Sequence, residues 1–310
     1  MPYSHGLGGI LHPSRPVPAL LDKRLVIVTG KGGVGKTTVA AALGLAAARH
    51  GKRVVLCEVG GHDRLPELVP ELTTVSVDPE QAKQEWLRYQ LRSRTLAGVL
   101  GGSRLFQYLT AAAPGLSELV TIGKVWDLAQ IERRTGSTVF DVAIVDAPAT
   151  GHALAMLRSP STFAAVARVG PVGRHAAAID RSLRNPKHTG VVMAALPEEM
   201  PVNETVEFER ALRRDLDMDV DAIVVNAVHP ARFRRDEIRG VRAVTGGRPV
   251  TQAALRAAEA EHARARGEHA QVRRLRRAAT APVATLPRVF EPELGREHLE
   301  RLSAELERRL

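Results

Sequence analysis

The chain has 310 residues, 44% apolar and 25% charged, with 44 basic against 34 acidic side chains and a single cysteine, Cys57. This length and composition suit a soluble globular chain, and one cysteine excludes a disulfide scaffold, a Cys-ligated zinc ribbon and an iron–sulfur cluster held within the chain. The net charge of +10 rests on 37 arginines and only seven lysines, which with the many alanines reads as a compositional habit and a solvated basic surface.

Residues 1–22 carry prolines and glycines without the continuous apolar segment of a secretory leader, and no apolar run approaches the roughly 18 residues of a spanning helix. They are expected to form a flexible tail ahead of one domain, 23–310, in a cytoplasmic protein. Short β-branched runs then recur at Leu25–Thr29, Val54–Cys57, Val142–Asp146, Val191–Ala195, Ala222–Asn226 and Val283–Leu286. Helical stretches such as Thr37–His50, Asn203–Asp215 and Gln252–Arg266 lie between them. The alternation predicts an α/β fold whose mainly parallel central sheet is flanked by helices on both faces.

The first strand runs directly into Gly30-Lys31-Gly32-Gly33-Val34-Gly35-Lys36-Thr37-Thr38, and a helix follows. This is the phosphate-cradling pattern GxxxxGK[ST] in the strand–loop–helix context it requires. The glycines let backbone N–H groups converge on a polyanion, and the helix N-terminus adds its positive end. Lys36 is expected at the β- and γ-phosphates and the Thr37 hydroxyl on Mg²⁺, which makes ATP and Mg²⁺ the expected cofactors.

From Val77 to Phe140 the gap is too long for a simple crossover. Pro79 opens a helical stretch with Trp86, Leu87, Leu91, Leu96, Val99 and Leu100 at helical spacing; Gly101-Gly102 breaks it, and Leu105–Leu109 and Leu116–Ile131 continue it. Thr162–Leu183 is a further helical stretch, broken near Gly170-Pro171. Together they predict a helical insert at about 79–135 and 155–188, either lining an apolar groove from Trp86 to Trp126 or packing its own core.

Between these stretches, the strand Val142–Asp146 ends in a carboxylate suited to holding magnesium through water. The following Ala147-Pro148-Ala149-Thr150-Gly151-His152 reads as a tight turn able to sense a γ-phosphate, with Pro148, Thr150, Gly151 and His152 as switch residues. Here the chain resembles the arsenite-pump and tail-anchored-protein-targeting (ArsA/Get-like) ATPases, deviant P-loop enzymes whose second switch reads DTAPTGH. Ser76–Ala82, Pro197–Thr205 and Asp219–Asn226 resemble further family segments, and the overlap runs from about residue 24 to 308. The likeness is to the bacterial members, some of which occur as paired subunits.

That resemblance implies several roles. Lys31, the extra lysine of GKGGVGKTT, would act across a dimer interface on the partner's nucleotide. Asn226 would read the adenine edge and Pro287 would pack beside the base. It also implies a homodimer, or a heterodimer with a related ATPase subunit, coupling nucleotide state to a protein or membrane-associated cargo, with peripheral membrane association as one form. Nucleic acid is not an expected partner.

The first switch departs from the family. Gapless alignment from Arg53 puts Gly60 where relatives carry the aspartate that positions the attacking water, leaving Glu58 or Asp63 as substitutes. A non-catalytic subunit of a heterodimer is therefore an alternative. A ParA/MinD-like positioning ATPase is another, although the Leu299, Leu302, Leu306 and Leu310 stripe suits docking on the body better than membrane insertion. The cluster Arg264, Arg266, Arg273, Arg274, Arg276 and Arg277, interrupted by Glu261, His262, Glu268 and His269, reads as a solvated helix face. One cysteine cannot supply the thiolates that a metalloid would need.

Overall fold

Strands that are apolar along their whole length demand cover on both faces, and the computed structural model, which describes residues 17–60, 64–92, 113–130, 139–167, 171–244 and 249–309, supplies it. Its strands are β1 (Leu25–Gly30), β2 (Val54–Val59), β3 (Thr73–Val77), β4 (Val142–Ala149), β5 (Thr189–Ala195), β6 (Ala222–Val228) and β7 (Val283–Pro287). They form one seven-stranded sheet in the order β3-β2-β4-β1-β5-β6-β7. Every pairing is parallel, and β1 lies centrally between β4 and β5. The chain reverses its direction of travel across the sheet there, the switch point at which open α/β sheets bind ligands. This is the α/β architecture of a P-loop NTPase.

Alternate residues of β1 serve two cores. Val26 and Val28 point toward α1 (Val17–Leu21), α2 (Lys36–Arg49), α3 (Arg64–Leu68) and α11 (Arg296–Arg309). Leu25 and Ile27 point to the other core. That core draws on α4 (Pro79–Arg92), α5 (Ala113–Leu128), α6 (Thr150–Val166), α7 (Pro171–Arg184), α8 (Glu199–Leu216) and α10 (Pro249–Ala278). A short helix, α9 (Arg235–Val244), packs along α10.

Three elements refine the sequence reading. Strand β3 was not expected: as an edge strand with half-exposed Thr73, Thr74 and Ser76, it lacks the apolar run of its neighbours. Helix α10 runs 30 residues, twice the predicted span, through an exposed Gly267. Within the expected tail, Leu20 and Leu21 are buried in the core beside α11.

Of the expected insert, α4 to α7 are described. The side chains of Leu87 and Leu91, together with Leu96, Val99, Leu100, Gly101, Gly102 and 105–109, lie outside the described residues. In α5, Leu116, Leu119, Val120, Ile122, Val125 and Leu128 are buried, and Trp126 packs edge-on to His175 at 5.3 Å, so this part of the insert packs into the core it shares with the sheet.

At the C-terminal end of the chain, α11 buries Leu299, Leu302 and Leu306 and fixes itself to α2 through Ser303 Oγ, which donates to Ala42 O at 2.6 Å. At about 1.5–3 kcal/mol for each leucine, that stripe is committed to the body. Among the described residues no helix is long and apolar enough to cross a membrane.

Opposite the carboxyl ends of the strands sits a buried ion pair. Lys23, 5% exposed, meets Asp221 Oδ1 and donates to Thr189 O at 3.2 Å. The other carboxylate oxygen of Asp221 accepts the Val191 amide at 3.0 Å. One lysine thereby ties the amino ends of β5 and β6 to the entry of β1.

Candidate nucleotide-binding site

Two helices begin at the carboxyl ends of adjacent strands, α2 after β1 and α6 after β4, and neither first turn has a side-chain cap. Free first-turn amides and two aligned helix dipoles make this edge of the sheet strongly attractive to an anion.

The loop before α2 is shaped by its glycines. Gly35 is left-handed (φ 88°), and a Cβ there would lie 2.2 Å from Asn226 Nδ2. Gly33 is also left-handed (φ 81°), and a Cβ built on Gly32 or Gly33 would meet nothing within 4 Å. Packing therefore does not exclude a side chain at these two positions; they leave open space where a ligand would approach. Gly30 ends β1 so close to β5 that a Cβ would strike Ala194 O. Val34 is buried, and its carbonyl accepts Asn226 Nδ2 at 3.1 Å. Thr38 lies half-buried in the first turn of α2.

Around this cradle the charged residues converge. The Thr37 hydroxyl donates to Asp146 Oδ2 at 2.5 Å, and Asp146 is only 7% exposed. Lys36 Nζ folds back onto Lys31 O at 3.3 Å. Burial pushes the Lys36 ammonium below its usual range, and the nearby Asp146 carboxylate partly offsets this. A phosphate arriving here would meet a cation short of counter-charge.

Lys31 points elsewhere. Its ammonium pairs with Glu204 of α8 at 2.6 Å, both side chains being about one-third exposed. Glu204 escaped the sequence reading because 173 residues separate it from Lys31.

The switch residues differ from expectation in form. β4 continues through Pro148 to Ala149, and Thr150 opens α6 with Gly151 and His152 exposed on its first turn, so a strand–helix junction stands where a tight turn was expected. Pro148 is tolerated because β1 shifts register between Val28 and Gly30, and Thr29 Oγ1 donates to Pro148 O at 2.9 Å.

Glu58 is next to Asp146 across the β2–β4 pairing, but its Oε2 accepts the Arg64 and Leu65 amides at 3.0 and 3.3 Å, capping α3. Gly60 has φ 117°, a conformation L residues rarely adopt, and its amide donates to Val77 O at 3.1 Å. Asp63 lies outside the described residues. Cys57 is buried, and its thiol is pushed up to about 12 by desolvation and then by the Asp146 and Glu58 carboxylates.

At the rim, Asn226 spends one N–H on the loop, leaving its carbonyl and second N–H for other partners. Pro287 is exposed at the end of β7, opposite Val228. The donor set fits magnesium: a hydroxyl and a carboxylate oxygen meet beside a phosphate cradle, and such an ion completes its octahedron with phosphate and water. No cluster of three or more His, Cys, Asp or Glu side chains forms a metal centre among the described residues.

The sequence is similar to those of known proteins. Residues 23–170 match the model of the anion-transporting ATPase family. The chain is 28% identical over 253 residues to ATPase BagA of Mycobacterium tuberculosis, an alignment covering 76% of this chain and 73% of that protein. It is 28% identical over 207 residues to ATPase GET3 of Phaeosphaeria nodorum, covering 61% and 60%. An uncharacterized protein of Streptomyces coelicolor is 30% identical over 209 residues, covering 63% of this chain and 50% of the other.

Proposed function

We propose that the chain is an ArsA/Get-like P-loop ATPase that binds Mg-ATP at the carboxyl ends of β1 and β4 and uses the terminal phosphate to control how two protomers meet. The observation that carries this reading is the meeting of two uncapped helix N-termini with Lys36, Thr37 and Asp146 around an open glycine cradle.

In this reading the amides of Gly32–Thr38 donate to the phosphates, and Lys36 swings from Lys31 O onto the β- and γ-oxygens. Thr37 and Asp146 would hold magnesium, which when bound neutralises charge on the phosphates. The first turn of α6, with Thr150, Gly151 and His152, meets the γ-phosphate through its amides, so loss of that group changes the junction behind Pro148. Asn226 locks the loop and turns its remaining amide atoms to the adenine edge, beside Pro287. Lys31 leaves Glu204 when a second protomer brings its nucleotide close, and the dimer then passes the change to a protein or membrane-associated cargo.

A second reading, a nucleotide-gated subunit with little turnover of its own, is favoured by the first switch. Glu58 is occupied in capping α3, and the backbone at Gly60 resists an aspartate. Calorimetry with Mg-ATP and a turnover assay on the isolated chain test both. Heat on Mg-ATP addition with slow turnover supports the subunit reading. Turnover abolished by Glu58→Gln identifies that residue as a relocated base. No heat with any adenine or guanine nucleotide in the presence of magnesium removes the proposal altogether.

A further inference from the structure

Thirteen arginines and five acidic residues fall between His229 and Ala278, so this stretch holds eight of the chain's ten net positive charges. In sequence the arginines of α10 are interrupted by Glu261, His262, Glu268 and His269. In the fold the interrupting side chains are drawn inward. Glu268 accepts the His229 amide at 2.8 Å and contacts the His229 ring at 2.7 Å. His269 bonds to His229 O at 3.0 Å, and His262 to Phe233 O at 2.9 Å. Glu261 is half-buried, and Glu259 is held by Arg242 of α9.

What remains outward is basic. At about 100° per residue, Arg256, Arg266, Arg273 and Arg277 share an arc of roughly 100°, opposite the buried Ala265, Val272 and Leu275, and they extend about 30 Å along the helix. All four are exposed and form no ion pair with another described residue. Alanines 263 and 270 lie between them, and the one acidic side chain of α10 on that arc, Glu259, is half-buried and neutralised by Arg242 of α9. Every fully buried side chain of α10 lies from Ala265 onward, so the α9–α10 hairpin projects from the body. Its outer end exposes Val241 (51%) and Val250 (82%).

We propose that the arginine row of α10 docks the protein on an anionic phospholipid surface. A cluster of four or more basic residues on one helix face gains about fivefold in binding for each charge near such a surface. The row is straight and carries no aromatic side chain on which bases could stack, and the exposed valines suit a bilayer interface rather than a sugar–phosphate backbone. The apolar side chains of α10 from Ala265 onward are spent on the body, so attachment is peripheral and salt-sensitive. The inference stands independently of nucleotide binding.

Co-sedimentation of the full chain with phosphatidylcholine vesicles containing about 30% phosphatidylglycerol, against pure phosphatidylcholine, tests it at about 0.1 M salt. Binding is expected only to the anionic vesicles, weakening as salt rises. The triple variant Arg266→Gln, Arg273→Gln, Arg277→Gln should lose on the order of a hundred-fold in partitioning, with an unchanged melting temperature showing that the fold is intact. Equal binding to neutral vesicles, no binding by the parent chain, or full retention by the triple variant overturns the proposal. Tighter binding to duplex DNA than to anionic vesicles also overturns it and assigns the row to nucleic acid.

Discussion

Two lysines stand at opposite ends of β1, and their settings differ. Lys23, at the amino end, is buried and fully engaged: Asp221 and the Thr189 carbonyl take its ammonium, and the Val191 amide takes the rest of the carboxylate. Lys36, beyond the carboxyl end, is half-buried, and its ammonium finds the Lys31 carbonyl and a more distant Asp146. Partial burial disfavours the charged form of Lys36 and lowers its pKa, and the Asp146 carboxylate offsets this only in part. The same strand therefore carries a closed electrostatic unit that fastens the fold at one end and an open one awaiting an anion at the other.

Exchanging the roles by mutation is the sharpest way to break that comparison. Lys23→Ala leaves Asp221 buried without its cation and should cost about 3–5 kcal/mol of stability, read in denaturant melts, while the folded fraction still binds Mg-ATP. Lys36→Ala should do the reverse. Its melt is unchanged or improved, but nucleotide affinity falls tenfold to a hundred-fold, as expected for a charged hydrogen bond worth about 1.5–3 kcal/mol. If both variants weaken both properties equally, the division between the two ends is wrong.

Smaller effects are expected at the rim. The Lys31–Glu204 pair is partly exposed and worth at most about 1 kcal/mol. Glu204→Gln should lower the ATP concentration needed for dimerisation by no more than about fivefold in sedimentation velocity, whereas Lys31→Ala should abolish nucleotide-driven dimerisation but keep binding.

Least of all, Arg53 and Asp141 tie the starts of β2 and β4 at the surface, and the Arg53 hydrogen bonds hold the Asp141 carboxyl at about 2. A depressed carboxyl stabilises the fold above its unfolded value and loses that contribution as pH falls through the folded one. The small melting difference between the parent and Asp141→Asn should thus be present above pH 4 and vanish as pH approaches about 2.

What was legible in the sequence follows the reach of local patterning. Runs such as Leu25–Thr29 and Val142–Asp146 announce central strands because burial on both faces admits only apolar residues. The glycine loop announces itself because a phosphate nest needs specific backbone freedom at fixed offsets. Thr73–Val77 was silent because an edge strand does not require an unbroken apolar run. The full length of α10 was obscured by Gly267, whose cost of about 1 kcal/mol in a helix is offset by the packing of Val272 and Leu275 beyond it. The contacts that adjust the site, Lys31 to Glu204 and Asn226 to Val34, join residues 173 and 192 positions apart, where only the folded sheet brings them together. The inward draw of the interrupting side chains on α10 is of the same kind: composition counts them, but only the docking of the helix decides which side each faces.

The clamp from Asn226 to the Val34 carbonyl has a consequence for selectivity. With the loop held in a defined shape by that bond, a ligand spends little of its affinity on ordering the chain, and any diphosphate that reaches the cradle is offered the same amides as a triphosphate. Preference for the fuel over its spent product must then originate outside the nest, at the mouth of α6 where a third phosphate would extend. The lifetime of the product on the enzyme becomes a property of that helix end rather than of the glycine loop.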